Sequence, residues 1–236
     1  MPVKKTSDKG KRREPRRFPP SLAGGCLRYA VMEVLGFGRL IEPESQAAMR
    51  AGSAQHKVFQ AHLQEQYAMC SVEVLLKDNA WGVSGRMDAI LETPGGPLVV
   101  EYKTVSPDRF ERIRQHGPLI AHWAQLQLYL AVSGISRGAL VVDRRETPGR
   151  MVFQTEGDPV WSGWLRDRID RVKEYQSARK LPPREVSAEC AGCDRWQRCF
   201  RGSEERDLQI AAHPEWEPEP MIPAPAAFMQ SEDIVS

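Results

Sequence analysis

Apolar and polar positions recur along the chain with two periods, and these set the expected elements. Residues 21–35 (SLAGGCLRYAVMEVL) carry helical spacing after an opening loop. In residues 46–67, Met49, Gly52, His56, Phe59 and Leu63 fall alternately three and four apart, which predicts one stripe on one helix. The period then drops to two. Strands are predicted over 71–77, 80–91 and 98–104, with Asp78-Asn79 and Thr93-Pro94-Gly95-Gly96-Pro97 supplying the turns between them. A helix over 119–133, a strand over 138–143 and a long helix over 160–179 follow. The last carries Trp161, Leu165, Ile169 and Val172 on one side. The order predicts an α/β body, a central mixed sheet flanked by helices.

The two ends break this pattern. Residues 1–17 hold eight Lys/Arg against two acids, and residues 202–236 hold eight acids against one arginine, with a proline-rich run HPEWEPEP. They predict a disordered basic arm and an acidic Pro-rich tail around a domain spanning 18–201. That domain keeps a small positive surplus, which is compatible with a nucleic-acid partner without requiring one. With 236 residues and 41% hydrophobic content, the chain suits one soluble domain. No apolar run approaches the roughly 18–20 residues of a membrane span, so no membrane association is expected. The N-terminal charges precede no apolar segment, so no secretory signal is expected. Five cysteines do not make an extracellular disulfide scaffold, and a cytoplasmic location follows.

Candidate chemistry lies on the strands. Alternation puts Asp88 with Ser84 and Arg86, and puts Trp81, Val83, Met87 and Leu91 on the opposite face. On the next strand Glu101 and Lys103 share a face, while Leu98, Val100 and Tyr102 take the other. Two carboxylates and an ammonium meeting across a hairpin suit phosphodiester hydrolysis: the acids would hold Mg²⁺ or Mn²⁺, and the lysine would position the attacking water. A Glu-x-Lys pair taken alone is more often a solvated strand pair. His56, inside an apolar stripe with Gly52 one turn away, reads either as a satisfied core residue or as a further ligand that favours Mn²⁺. Gln125 interrupts the stripe of Ala121, Leu128, Tyr129 and Val132, and so must find buried partners or reach into a site. Tyr102, Trp123 and Tyr129 read as core residues or as surfaces for base stacking.

Cys190, Cys193 and Cys199 form C-x2-C-x5-C, one ligand short of a four-thiolate site, which Cys26 or Cys70 can complete through the fold. Zinc and an iron–sulfur cluster both accept four cysteines; one trio plus a remote cysteine leans toward the cluster.

Taken in order, GSAQH, GRMDAI, VVEYKT and QLQLY resemble the RecB-like branch of the PD-(D/E)xK nuclease superfamily, across about residues 50–133. The flanking cysteines extend the likeness to the CRISPR-associated four-cysteine iron–sulfur exonuclease family, over about residues 21–200. The resemblance implies a restriction-endonuclease-like fold. It makes Asp88, Glu101, His56 and the carbonyl of Tyr102 the ligands of Mn²⁺ or Mg²⁺, and Lys103 the catalytic lysine. Gln125 and Tyr129 would contact substrate or brace the site. Cys26, Cys190, Cys193 and Cys199 would hold a 4Fe–4S cluster tying the first helix to the C-terminal end, with Cys70 left as a strand thiol. The implied activity is metal-dependent exonuclease cleavage of single-stranded DNA or overhangs, with a 5′→3′ lean. The implied role is preparing ends for CRISPR spacer acquisition, beside an integrase complex. A phage or repair end-processing nuclease would share the same site. An adaptor of nuclease fold that binds ends without cutting would be indifferent to Lys103. No G-x4-GK-[ST] motif appears, so a fused helicase is not expected.

Overall fold

The computed structural model describes residues 15–213 apart from 40 and 42, so most of the expected basic arm and the acidic tail beyond 213 lie outside the described residues. The helix expected over 21–35 is divided. A single 3-10 turn covers Pro20–Leu22, and helix α1 starts only at Leu27 and runs to Val34. The cause is Gly24, which lies flush against a later helix: a Cβ there would sit 2.6 Å from the carbonyl oxygen of Ile120. Helix α2 spans Pro43–Gln66. Of its expected stripe, Phe59 and Leu63 are buried, whereas Met49 is exposed.

Three antiparallel strands follow, β1 (Cys70–Asp78), β2 (Val83–Thr93) and β3 (Gly96–Val105). Helices α3 (Pro107–His116) and α4 (Ile120–Ser133) form the crossover to β4 (Arg137–Arg144), which pairs parallel with β3. Strand β5 (Arg150–Glu156) closes the five-stranded sheet, in the order β1-β2-β3-β4-β5. Helix α5 (Pro159–Ala178) packs back beside α4, with Trp161, Leu165, Ile169 and Val172 all buried as expected. Two elements were legible but unassigned in the sequence. Helix α3 has Pro at its first turn and Gly117 after its end, yet only Phe110 and Ile113 are buried, too few to show a stripe. Strand β5 alternates, with Met151 and Phe153 buried.

The sheet separates two cores. On one side Val99, Leu140 and Val142 meet α1, α4 and α5; on the other Leu98, Val100, Tyr102, Ala139 and Val141 meet Phe59 and Leu63 of α2. Alternation along β3 and β4 explains this division. The outer hairpin departs from it. Val83 and Met87 join the first core while Ala89 and Leu91 join the second, although all share one parity. On β1, Val74 and Leu76 likewise part from Cys70 and Val72. The uniform face expected for Trp81, Val83, Met87 and Leu91 is therefore corrected. The switch falls at Glu73, whose φ is +52°, and at Asp88 opposite it.

Beyond α5 the chain makes two short turns, Ala188–Gly192 and Trp196–Arg198, that carry the cysteine trio. Helix α6 (Ser203–Ala212) then stands where the sequence predicts the tail to begin. Glu205 ties it back by accepting from Arg184 at 3.0 Å and from the Arg201 amide at 2.8 Å. Among the described residues no helix is long and apolar enough to cross a membrane.

Gly24→Ala forces α4 away from the segment before α1 and is expected to cost about 1–3 kcal/mol in urea unfolding. Gly163→Ala, on α5 with nothing within 4 Å, is expected to stabilise by roughly 0.5–1 kcal/mol.

Candidate active site

The pairing of β2 with β3 runs from Thr93–Gly96 to Ala89–Val100 and stops there. A buried strand amide beyond that point needs another acceptor. Asp88 supplies it: its Oδ2 accepts the Tyr102 N–H at 2.8 Å. Its other oxygen lies 3.5 Å from His56 Nδ1 on α2. Helix α2 runs close to β3 here: a Cβ at Gly52 would meet Thr104 Oγ1 at 3.4 Å, an ordinary contact distance. The ring of Tyr102 anchors the helix, stacking on Phe59 at 4.1 Å and meeting His56 edge-on at 4.9 Å. Its hydroxyl donates to Asp143 at 2.8 Å.

On the other face of β3, Glu101 is 1% exposed. The Lys103 ammonium pairs with its Oε1 at 2.5 Å, and its Oε2 has no partner among the described residues. Burial pushes the Glu101 carboxyl up to about 7; Lys103 opposes this and Asp88 adds to it. Burial disfavours the Lys103 charge, but Glu101 and Asp88 outweigh it and hold the ammonium above its ordinary range. Lys103 also donates to Gln125 Oε1 at 3.0 Å. Gln125 passes the chain on, donating to the Tyr129 hydroxyl at 2.9 Å, which donates to the Arg86 carbonyl at 2.5 Å. The expected set His56, Asp88, Glu101, Tyr102, Lys103, Gln125 and Tyr129 is thus brought to one locus where β2 parts from β3. Tyr129 and Gln125 brace Lys103 from within the core. Tyr102, Trp123 and Tyr129 are all buried, so none offers a face for base stacking.

Three further residues attend the site. Gln60, one turn after His56, is buried and donates to Glu73 Oε1 at 2.9 Å and to the Asp88 carbonyl at 3.3 Å. An amide beside Phe59 in a buried stripe is the same signal that marked Gln125. Glu73 faces Asp88 across the hairpin and lies 3.6 Å from Arg86; a Glu between two valines on a strand gives no hint of its left-handed backbone. His122, one turn before Gln125, is pushed down to about 3 by burial and by the charges of Lys103 and Arg109, so its imidazole is neutral.

The buried Glu101 carboxylate, a second carboxylate and an imidazole are a donor set that suits a hard divalent cation. Among the described residues no three His, Cys, Asp or Glu side chains already close around one point to hold a metal ion. The ammonium of Lys103 takes the place of a counter-charge beside Glu101.

The cysteines are all free thiols and all half-buried. Cys26 lies in the electrostatic reach of Cys190, and Cys193 in that of both Cys190 and Cys199. Burial raises Cys26 to about 11. Cys70 stays apart on β1, paired with Leu91, its thiol raised by burial alone.

The family described as the PD-(D/E)XK nuclease superfamily matches residues 48–200. No curated protein matches the chain. Among solved structures, SSO0001 is 21% identical with a TM-score of 0.55, covering 81% of this chain and 89% of that one. An alkaline exonuclease from Laribacter hongkongensis is 13% identical with a TM-score of 0.54, covering 70% of this chain and 90% of its own. The same enzyme in complex with dAMP aligns at 15% identity and a TM-score of 0.53, with the same coverage. These likenesses concern the fold.

A carboxyl raised on folding favours the folded state below its unfolded pKa, and that contribution fades as pH rises through the folded value. Metal-free protein should therefore lose stability between about pH 4.5 and 7, and Glu101→Gln should flatten that slope. Urea midpoints measured against pH in the presence of a chelator check this.

Proposed function

Since the chain belongs to the PD-(D/E)XK nuclease superfamily, we propose that it is a metal-dependent exonuclease acting on single-stranded DNA or overhangs. The observation that carries this is the meeting of Asp88, Glu101 and Lys103 where β2 leaves β3, with Lys103 fixed by Gln125. Asp88, Glu101, His56 and the Tyr102 carbonyl would hold Mg²⁺ or Mn²⁺, which when bound supplies Lewis-acid stabilisation of charge developing on the phosphoryl oxygens. Lys103 lies beside the buried Glu101, where its ammonium would orient the attacking water and add positive charge toward the phosphate. Gln125, itself held by Tyr129, fixes the position of that ammonium. Asp88, held by the Tyr102 amide and facing His56, stays fixed in position.

The narrower reading follows the four-cysteine frame. Cys26, Cys190, Cys193 and Cys199 would hold a 4Fe–4S cluster; Cys70, on β1 against Leu91, is left out of that grouping. The resemblance noted from sequence then favours 5′→3′ trimming of DNA ends for CRISPR spacer acquisition, beside an integrase complex in the cytoplasm. The complex of a similarly folded exonuclease with dAMP, a mononucleotide of the kind end-wise hydrolysis yields, is in keeping with exonuclease action alone.

The test is cleavage of single-stranded DNA labelled at either end, with Mn²⁺ or Mg²⁺ and anaerobically prepared protein. The wild type should shorten the strand from its 5′ end, and Lys103→Ala and Glu101→Ala should each lose about 100-fold or more of the rate. Equal cleavage by all three would contradict the assignment. DNA binding without cleavage by the wild type would favour the adaptor.

A further inference from the structure

Two buried arginines grip the cysteine-bearing segments through contacts that involve no thiol. Arg195 lies between Cys193 and Cys199 and is 3% exposed. Its Nη2 donates to Glu33 Oε2 at 2.6 Å and to the Phe37 carbonyl at 2.9 Å, and its Nη1 reaches the Tyr29 carbonyl at 3.4 Å. The guanidinium also covers the Tyr29 ring at 4.4 Å. All of these acceptors lie on α1 or just past its end. Arg39 holds the same Glu33 carboxylate at 2.7 Å. Burial would raise that carboxyl, but the hydrogen bonds from Arg39 and Arg195 hold it below its ordinary range.

The second grip is at the start of α1. Arg168 of α5, 5% exposed, donates to the Gly25 carbonyl and lies 3.7 Å from Glu185. Glu185 in turn accepts the Leu27 N–H at 2.5 Å. Cys26 is therefore bracketed on both sides, one neighbour pinned to α5 and the other to the strand of chain that leads into Cys190. A segment closed only through its thiolates would need neither buried cation. Each guanidinium is paired through its Nη atoms while its Nε finds no partner among the described residues, so these two buried cations depend on the acceptors of α1 and Glu185 staying where they are.

We propose that Arg195 and Arg168 are positioning residues that hold Cys26 and the 187–200 segment together by contacts of their own, so that a cluster is taken up between segments already docked, the thiols themselves not yet closing around one point. This rests on the four-cysteine reading above. It separates two events that a simple crosslink would join: loss of the cluster removes colour, while release of the segment requires loss of the arginine grips.

The experiment is hydrogen exchange on the full chain after iron removal, comparing wild type, Arg195→Lys and Arg195→Met, followed by anaerobic reconstitution with iron and sulfide. The metal-free wild type should protect 187–200 and the start of α1. Arg195→Met should speed exchange there by on the order of tenfold or more, the least that breaking a buried ion pair entails, with β3 and β4 still protected. It should also take up iron and sulfide more slowly. Arg195→Lys, which keeps the charge and loses the fork, should fall between. Equally fast exchange of this segment in the metal-free wild type and in Arg195→Met would overturn the proposal. A wild type that binds no iron and sulfide would instead overturn the cluster reading on which it rests.

Discussion

The N–H of Tyr102 is the point on which the site depends. Where β2 peels away from β3 that amide loses its strand partner, and a buried amide must be paired. Asp88 takes it, and in doing so is fixed in position and orientation. The same parting lets the outer hairpin change faces at Glu73 and Asp88, so that one half of it packs under α2 and the other under α4 and α5. A break in the ladder thus aims one carboxylate and brings it beside Glu101 of the neighbouring strand.

Glu101 and Lys103 set the electrostatics of that site. A carboxylate with both oxygens out of water is unfavourable unless a positive charge is near. Lys103 is that charge, and Gln125, Tyr129 and the Arg86 carbonyl keep it in place. The chain of hydrogen bonds runs from the site into the core, so the lysine's position is held by packing as well as by charge.

Much of this was legible because it follows from period. The 3.6 and 2 spacings found α2, α4, α5 and the central strands, and polar residues inside apolar stripes marked His56 and Gln125. The same rule, applied to Gln60, would have found one more. Glu73 could not be found this way, since its backbone turn belongs to the twist of the paired hairpin rather than to its own sequence. Nor could the face switch along β2, because alternation assumes a strand with one partner surface throughout. The split of the first helix at Gly24 was written in the Gly-Gly pair, but its reason, contact with the first turn of α4, lies nearly a hundred residues away. The arginines around the cysteines read as ordinary surface charge until the fold buries them.

The most direct measurement is anomalous diffraction at the manganese edge from crystals grown with Mn²⁺. The account predicts a peak within about 2.0–2.3 Å of carboxylate oxygens of both Asp88 and Glu101, with His56 turned toward it and Lys103 drawn off Glu101. A peak that avoids both carboxylates, or none while Lys103 remains against Glu101, would contradict it.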